Sequence, residues 1–149
     1  MEKAETARAL FQQGYNCAQS VFGAFAPELG IDRETAFRLA SGFGAGMGRM
    51  RQVCGAVSGM ILAAGLAQGY SDPTRLDEKT ATYAMIQQLA HEFEQANGSI
   101  ICQTLLGLAR PEGTAQAEAR TAEYYRKRPC ADLVAQAAGI LESYLQKAE

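Results

Sequence analysis

The chain has 149 residues, enough for one core of ordinary size and rather short for two. Lys and Arg number 14 against 16 for Asp and Glu, a formal net charge of −2, which leaves no basic footprint and argues against nucleic acid as a partner. Apolar residues make up 48%, alanine is abundant and tryptophan absent, so the expectation is one domain, 1–149, of packed helices rather than strands or a disordered chain.

The opening MEKAETARAL carries two glutamates and no long apolar run, so it reads as neither a secretory signal nor a transit peptide, and a cytoplasmic protein is expected. Ala4, Ala7, Leu10 and Phe11 recur at helical spacing and predict a first helix over about 3–13, stopped at Gly14. Asn16 then caps a second helix carrying Cys17, Val21, Phe22 and Phe25, which ends in the turn from Pro27 to Gly30. Asp32 is the N-cap of a short helix through Ala40, with Glu34 near its positive end.

The stretch Ser41-Gly42-Phe43-Gly44-Ala45-Gly46-Met47-Gly48 follows. Each glycine in a helix costs about 1 kcal/mol relative to alanine, so four at alternate positions predict a loop. It follows a helix rather than a strand, lacks Gly-Lys-Ser/Thr and does not fit G-x-G-x-x-G, which argues against a nucleotide cofactor.

Residues 53–67 are apolar nearly all round and predict a buried central helix. The segment is too short and too rich in glycine for a membrane span, which needs about 20 apolar residues. Asp72-Pro73 opens the longest predicted helix, to Asn97, with an inward stripe of Leu76, Tyr83, Ile86, Ala90 and Phe93. After Gly98, Ser99 is the expected cap of a short piece holding Cys102, Leu105 and Leu106. A turn at 110–113 and a polar helix over 114–128 come next. Pro129 restarts the chain into a last helix with Leu133, Ala137, Ile140, Leu141, Tyr144 and Leu145 on one face. The pattern is an all-α bundle of about six or seven helices around a central Ala/Gly-rich helix, which suits packing within one subunit or against a second copy in a homo-oligomer.

Cys17, Cys54, Cys102 and Cys130 each fall where one of these helices begins. Under reducing conditions four cysteines point to a metal site or a working redox group more than to two permanent disulfides. No two lie close enough in sequence for a CxxC pair or a zinc knuckle, so a site has to be assembled by the fold. A helix N-terminus offers free N–H groups and about half a positive charge, which favours thiolate over thiol. Cys54 stands out, with glycine-rich backbone before it and Arg49 and Arg51 beside it; Lys127 and Arg128 bear the same relation to Cys130. The competing reading is that the cysteines only pack as small apolar residues in a helical interaction protein. His91 is the single histidine, which excludes a histidine-rich metal site and reads as a surface or packed side chain. No Cys-x-x-Cys-His occurs, so covalently attached haem is excluded.

Gly14-Tyr15-Asn16-Cys17-Ala18-Gln19-Ser20-Val21, Cys54-Gly55-Ala56-Val57-Ser58-Gly59, Gly98-Ser99-Ile100-Ile101-Cys102 and Cys130 together resemble the C_GCAxxG_C_C family, which is described as redox-active. The resemblance spans most of the chain and implies that Cys17, Cys54, Cys102 and Cys130 are the functional positions. Two redox chemistries fit them. The four thiolates ligate an iron–sulfur cluster, with backbone N–H groups around Gly44, Gly46, Gly48 and Gly55 directed at its sulfurs. Otherwise they cycle between dithiol and disulfide, with Cys54 as the attacking thiolate. Either makes the chain an oxidoreductase or electron carrier with a redox partner that the sequence does not identify. The alternative from another class is a structural or trafficking site in which the four cysteines hold zinc, without electron transfer.

Overall fold

The computed structural model describes residues 2–110 and 114–147. Among them the chain is helical and contains no strand, only an isolated antiparallel bridge between Val53 and Ile101. The all-α expectation holds. Of the turn expected at 110–113, residues 111–113 lie outside the described residues.

Helix α1 (Glu2–Gln12) buries Ala7, Leu10 and Phe11, and the chain leaves it through Gly14 at φ +108°. Helix α2 (Cys17–Phe25) starts on a capping box: the Gln19 N–H donates to Asn16 Oδ1 at 2.9 Å and the Asn16 N–H donates to Gln19 Oε1 at 3.0 Å. Helix α3 (Arg33–Ala40) starts at Asp32, whose carboxylate accepts from the Thr35 N–H at 3.0 Å.

Helix α4 (Gly55–Gln68) is the central one, burying Val57, Met60, Ala63 and Ala64. It lies against α2 at Gly59, where a Cβ would stand 2.6 Å from the Ala18 carbonyl oxygen, so the absent side chain is what lets the two backbones meet. Helix α5 (Leu76–Asn97) and helix α8 (Cys130–Lys147) complete the bundle, α8 packing on α1, α2 and α4 through Leu133, Val134, Ala137 and Leu141. One continuous apolar core runs through these helices, from Ala7 to Leu141.

Four sequence expectations about the helices are corrected. Helix α5 begins at Leu76, and Asp72 instead closes a turn by accepting from the Thr74 N–H at 2.9 Å. Its buried residues are Met85, Leu89 and Phe93, whereas Leu76 and Tyr83 are 69% and 53% exposed. No residue from 76 to 84 is buried, so apolar periodicity there reports on no core. Ser99 is not the cap of the short helix α6 (Cys102–Leu105); its Oγ accepts from the Ile101 N–H at 2.9 Å, one step earlier.

The last of these corrections matters most for function. Of the helix expected over 114–128, only α7 (Ala122–Lys127) forms, capped by Thr121, and the described residues before it run as an irregular strap. Arg120 fastens that strap: its guanidinium donates to the Phe11 and Tyr15 carbonyls, each at 2.9 Å, and lies 4.2 Å from the Phe11 ring centroid. A segment without an apolar stripe has little to gain from helical packing, and this anchor fixes another course.

The glycine-rich segment, expected as a loop, instead forms a 3-10 turn over Ser41–Phe43 and a short left-handed helical turn over Gly44–Met47. Five successive residues, 45–49, have positive φ: Ala45 +56°, Gly46 +72°, Met47 +69°, Gly48 +61° and Arg49 +68°, and Arg51 follows at +58°. The Gly48 N–H closes this left-handed turn onto the Gly44 carbonyl at 3.0 Å. The left-handed region costs a non-glycine residue about 1–2 kcal/mol, so Ala45, Met47, Arg49 and Arg51 hold a strained backbone. It is stitched down by Gln52 N–H to Gly46 O (2.9 Å), Cys102 N–H to Gln52 O (2.6 Å), Gln103 N–H to Arg51 O (3.1 Å) and Cys54 N–H to Ile100 O (2.7 Å).

Candidate functional site

Each cysteine sits at a helix start. Cys17, Cys102 and Cys130 are the first residues of α2, α6 and α8, and Cys54 is the N-cap of α4. All four are free thiols and buried, 8%, 4%, 7% and 8% exposed in chain order. All four line one cavity of about 400 Å³. The capping box places Cys17, the left-handed loop and its stitches place Cys54 and Cys102, and Pro129 turns the chain so that α8 opens on Cys130. Positions far apart in sequence thus face a common space.

The cavity is cationic. Among its described lining residues are Arg49, Arg51, Arg120 and Arg128 against a single carboxylate, Glu118. Glu118 Oε1 accepts from Arg128 at 2.9 Å and from Arg49 at 3.5 Å, which ties the strap across the opening to both sides. Arg51, 5% exposed, donates from Nη1 to Cys102 Sγ at 3.6 Å. Gly44, Gly46, Gly48 and Gly55 also line the space. Of these, Gly46 faces the Arg51 Cα and the Cys102 Cβ so closely that a Cβ of its own would stand 2.6 and 2.7 Å from them. The Gly48 N–H is engaged by Gly44 and is not directed into the cavity as a donor.

The helix ends do not make every thiol acidic. Burial pushes Cys54 up to about 12, although the Ala56 and Val57 amides of the first turn of α4 pull the other way. Burial also raises Cys102, opposed by the bond and charge of Arg51. Cys17 is raised well above the ordinary thiol value because its S–H is held by Cys130, with burial adding to this. Cys130 alone of the four moves down, through the hydrogen bond from Cys17 and then the charges of Arg128, Arg120 and Arg51, against the opposing effect of burial. The sequence argument captured the helix field and missed two other effects: desolvation, the largest at Cys54 and Cys102, and the Cys17–Cys130 hydrogen bond, the largest at Cys17 and Cys130. Tyr124, beside Cys130, is pushed up to about 12, mainly by burial.

Among the described residues, no three His, Cys, Asp or Glu side chains are close enough together to grip one metal ion. His91 is exposed on α5 and is not part of the cavity lining. Arg128 acts on Cys130, as the sequence placed it, whereas Arg51, expected beside Cys54, contacts Cys102 and Arg49 turns to Glu118; the Lys127 side chain lies outside the described residues. Glu118, Arg120 and Tyr124 were missed. They fall in the stretch read as a polar helix, and no local pattern marks a strap that crosses a cavity. No helix among the described residues is long and apolar enough to cross a membrane.

The family model described as "Putative redox-active protein (C_GCAxxG_C_C)" matches residues 15–144, and the chain belongs to that family. No curated protein and no solved structure matches it.

Proposed function

We propose that this member of the C_GCAxxG_C_C family is a small cytoplasmic redox protein whose four cysteines ligate an iron–sulfur cluster and which exchanges electrons with a partner protein. The observation that carries the reading is the meeting of Cys17, Cys54, Cys102 and Cys130 around one cavity, each at a helix start. Four thiolates are a complete ligand set for such a cluster. A single tetrahedral zinc would draw four sulfurs to about 3.8 Å of one another, from Zn–S bonds near 2.3 Å. The described residues hold no group tight enough for a single ion, so the cluster reading rests on the ligand set and on the shared cavity of about 400 Å³.

The cluster would supply one-electron transfer. The chain's own residues supply the rest. Arg49, Arg51, Arg120 and Arg128 offset the negative charge that four thiolates bring into a buried space. The raised thiols of Cys17, Cys54 and Cys102 keep the metal-free cavity from accumulating mutually repelling anions, and their protons leave when the sulfurs become ligands. The strap, tied by Glu118 and Arg120, limits access of water.

A second reading rests on the Cys17–Cys130 hydrogen bond. One thiol of a contacting pair is lowered and the other raised, the division of labour of a dithiol centre. Here the Cys130 thiolate attacks a substrate disulfide and expels one thiolate. Cys17 loses its proton, attacks Cys130 and expels the second, leaving a Cys17–Cys130 disulfide and a substrate reduced by two electrons. A cellular thiol reductant then restores the pair.

Anaerobic reconstitution with iron and sulfide separates the readings. A brown protein holding iron and acid-labile sulfide, lost on replacing any one cysteine by serine, supports the cluster. Colourless protein that releases zinc on acidification supports a structural metal. A metal-free chain that forms a Cys17–Cys130 disulfide in an oxidised thiol buffer supports the dithiol. If thiol reactivity, metal content and redox behaviour are all unchanged in Cys54→Ser and Cys102→Ser, the cysteines only pack.

A further inference from the structure

Arg51 combines three features that are seldom found together. It is a non-glycine residue at φ +58°, its side chain is buried, and its guanidinium lies against a cysteine sulfur. Strained backbone of this kind persists only where the surroundings over-determine it. Here they do: the Arg51 carbonyl accepts from the Gln103 N–H at 3.1 Å, and the next carbonyl, of Gln52, accepts from the Cys102 N–H at 2.6 Å. Gly46 leaves room for both the Arg51 Cα and the Cys102 Cβ. Main chain and side chain therefore fix Arg51 to Cys102 twice over. Arg49 and Arg128, by contrast, turn to Glu118 at the strap.

We propose that Arg51 is the positioning residue of the sulfur centre, fixing Cys102 Sγ by a charge-assisted contact and raising the reduction potential of whatever that sulfur ligates. This rests on the cluster reading above for its redox consequence, though not for the contact itself. A permanent positive charge within hydrogen-bond reach of a ligand sulfur stabilises the more negative, reduced state of the group it binds. Arginine keeps its charge at all working pH values and presents a rigid fork, so the effect is constant and directional. A contact that served packing alone would be satisfied by an apolar side chain of similar length, with no charge brought to the sulfur.

The test uses the full chain with Arg51→Met, which keeps bulk and removes charge, and Arg51→Lys, which keeps charge and alters the fork. In reconstituted protein, Arg51→Met is expected to shift the oxidised/reduced equilibrium at least about tenfold toward oxidised, a fall of about 59 mV for one electron, and Arg51→Lys to restore most of it. In metal-free protein at one fixed neutral pH, alkylation of Cys102 by iodoacetamide, read by peptide mass spectrometry, is expected to slow several-fold in Arg51→Met and to recover in Arg51→Lys. An unchanged potential and unchanged Cys102 rate in Arg51→Met overturn the proposal, as does a failure of Arg51→Lys to recover either. If Arg51→Met does not fold, Arg51→Gln takes its place with the same expectations. If the wild-type chain takes up no iron, the cluster reading fails, and the Cys102 rates still decide for or against Arg51.

Discussion

Raising the pH should unfold this protein through Cys54 in particular. Folding lifts the Cys54 thiol from its ordinary value of about 9 to about 12, chiefly because the sulfur is buried. The contribution of this group is therefore complete below about 9 and is lost as pH rises toward about 12, since the unfolded chain gives up the proton first. At about 1.4 kcal/mol per pH unit the full loss is about 4 kcal/mol, a large share of the stability of a domain this size. Cys17 and Cys102 are raised too and steepen the wild-type slope, while tyrosine and lysine titrations are common to any variant. The informative quantity is thus the difference between wild type and Cys54→Ala, measured by urea unfolding of reduced, metal-free protein at intervals from about pH 8 to about pH 11. The wild-type curve should fall more steeply by about 1.4 kcal/mol per unit above about 9, whatever offset the lost side chain adds at neutral pH. Parallel curves would mean that the Cys54 sulfur is solvated, and the desolvated four-sulfur cavity would go with it.

Gly46→Ala places a methyl 2.6 Å from the Arg51 Cα and 2.7 Å from the Cys102 Cβ at a left-handed position, so a loss of about 3 kcal/mol in urea unfolding is expected; a change within about 0.5 kcal/mol would contradict the loop geometry. Arg120→Met removes two charge-assisted bonds from the strap, to Phe11 and Tyr15. Faster limited proteolysis within 114–121 is expected, with the helices still protected, and an unchanged cleavage pattern would show that Arg120 does not hold the strap. Cys17→Ala takes away the S–H that lowers Cys130, so in metal-free protein the pH at which Cys130 reaches half-maximal alkylation should move up; an unmoved profile would leave the arginines as the whole cause.

The helical class was legible because strong local signals agreed: the Asn16 and Asp32 caps, glycine stops at Gly14 and Gly98, and the apolar faces around Val57 and Leu133. Cysteine placement at helix starts was legible for the same reason at Cys17, Cys54 and Cys130, which follow a cap, a glycine loop and a proline, whereas the cap expected before Cys102, Ser99, does not cap that helix. What the sequence hid is tertiary. Tyr83 and Leu76 have the spacing of core residues but stay exposed, and Glu118 and Arg120 belong to a strap whose course is set by carbonyls of Phe11 and Tyr15, over a hundred positions away in the chain. The left-handed run at Ala45, Met47, Arg49 and Arg51 also lacked a signature, because glycines at alternate positions announce flexibility and not which neighbours share the strain.

The central claim is that four remote sulfurs act as one ligand set. Iron and acid-labile sulfide per chain, measured after anaerobic reconstitution of the wild type and of Cys17→Ser, Cys54→Ser, Cys102→Ser and Cys130→Ser, test it most directly. The account predicts matched iron and sulfide in the wild type and a marked loss in each of the four variants. A wild-type chain that takes up neither, or a set in which replacing one of these cysteines changes nothing, would contradict it.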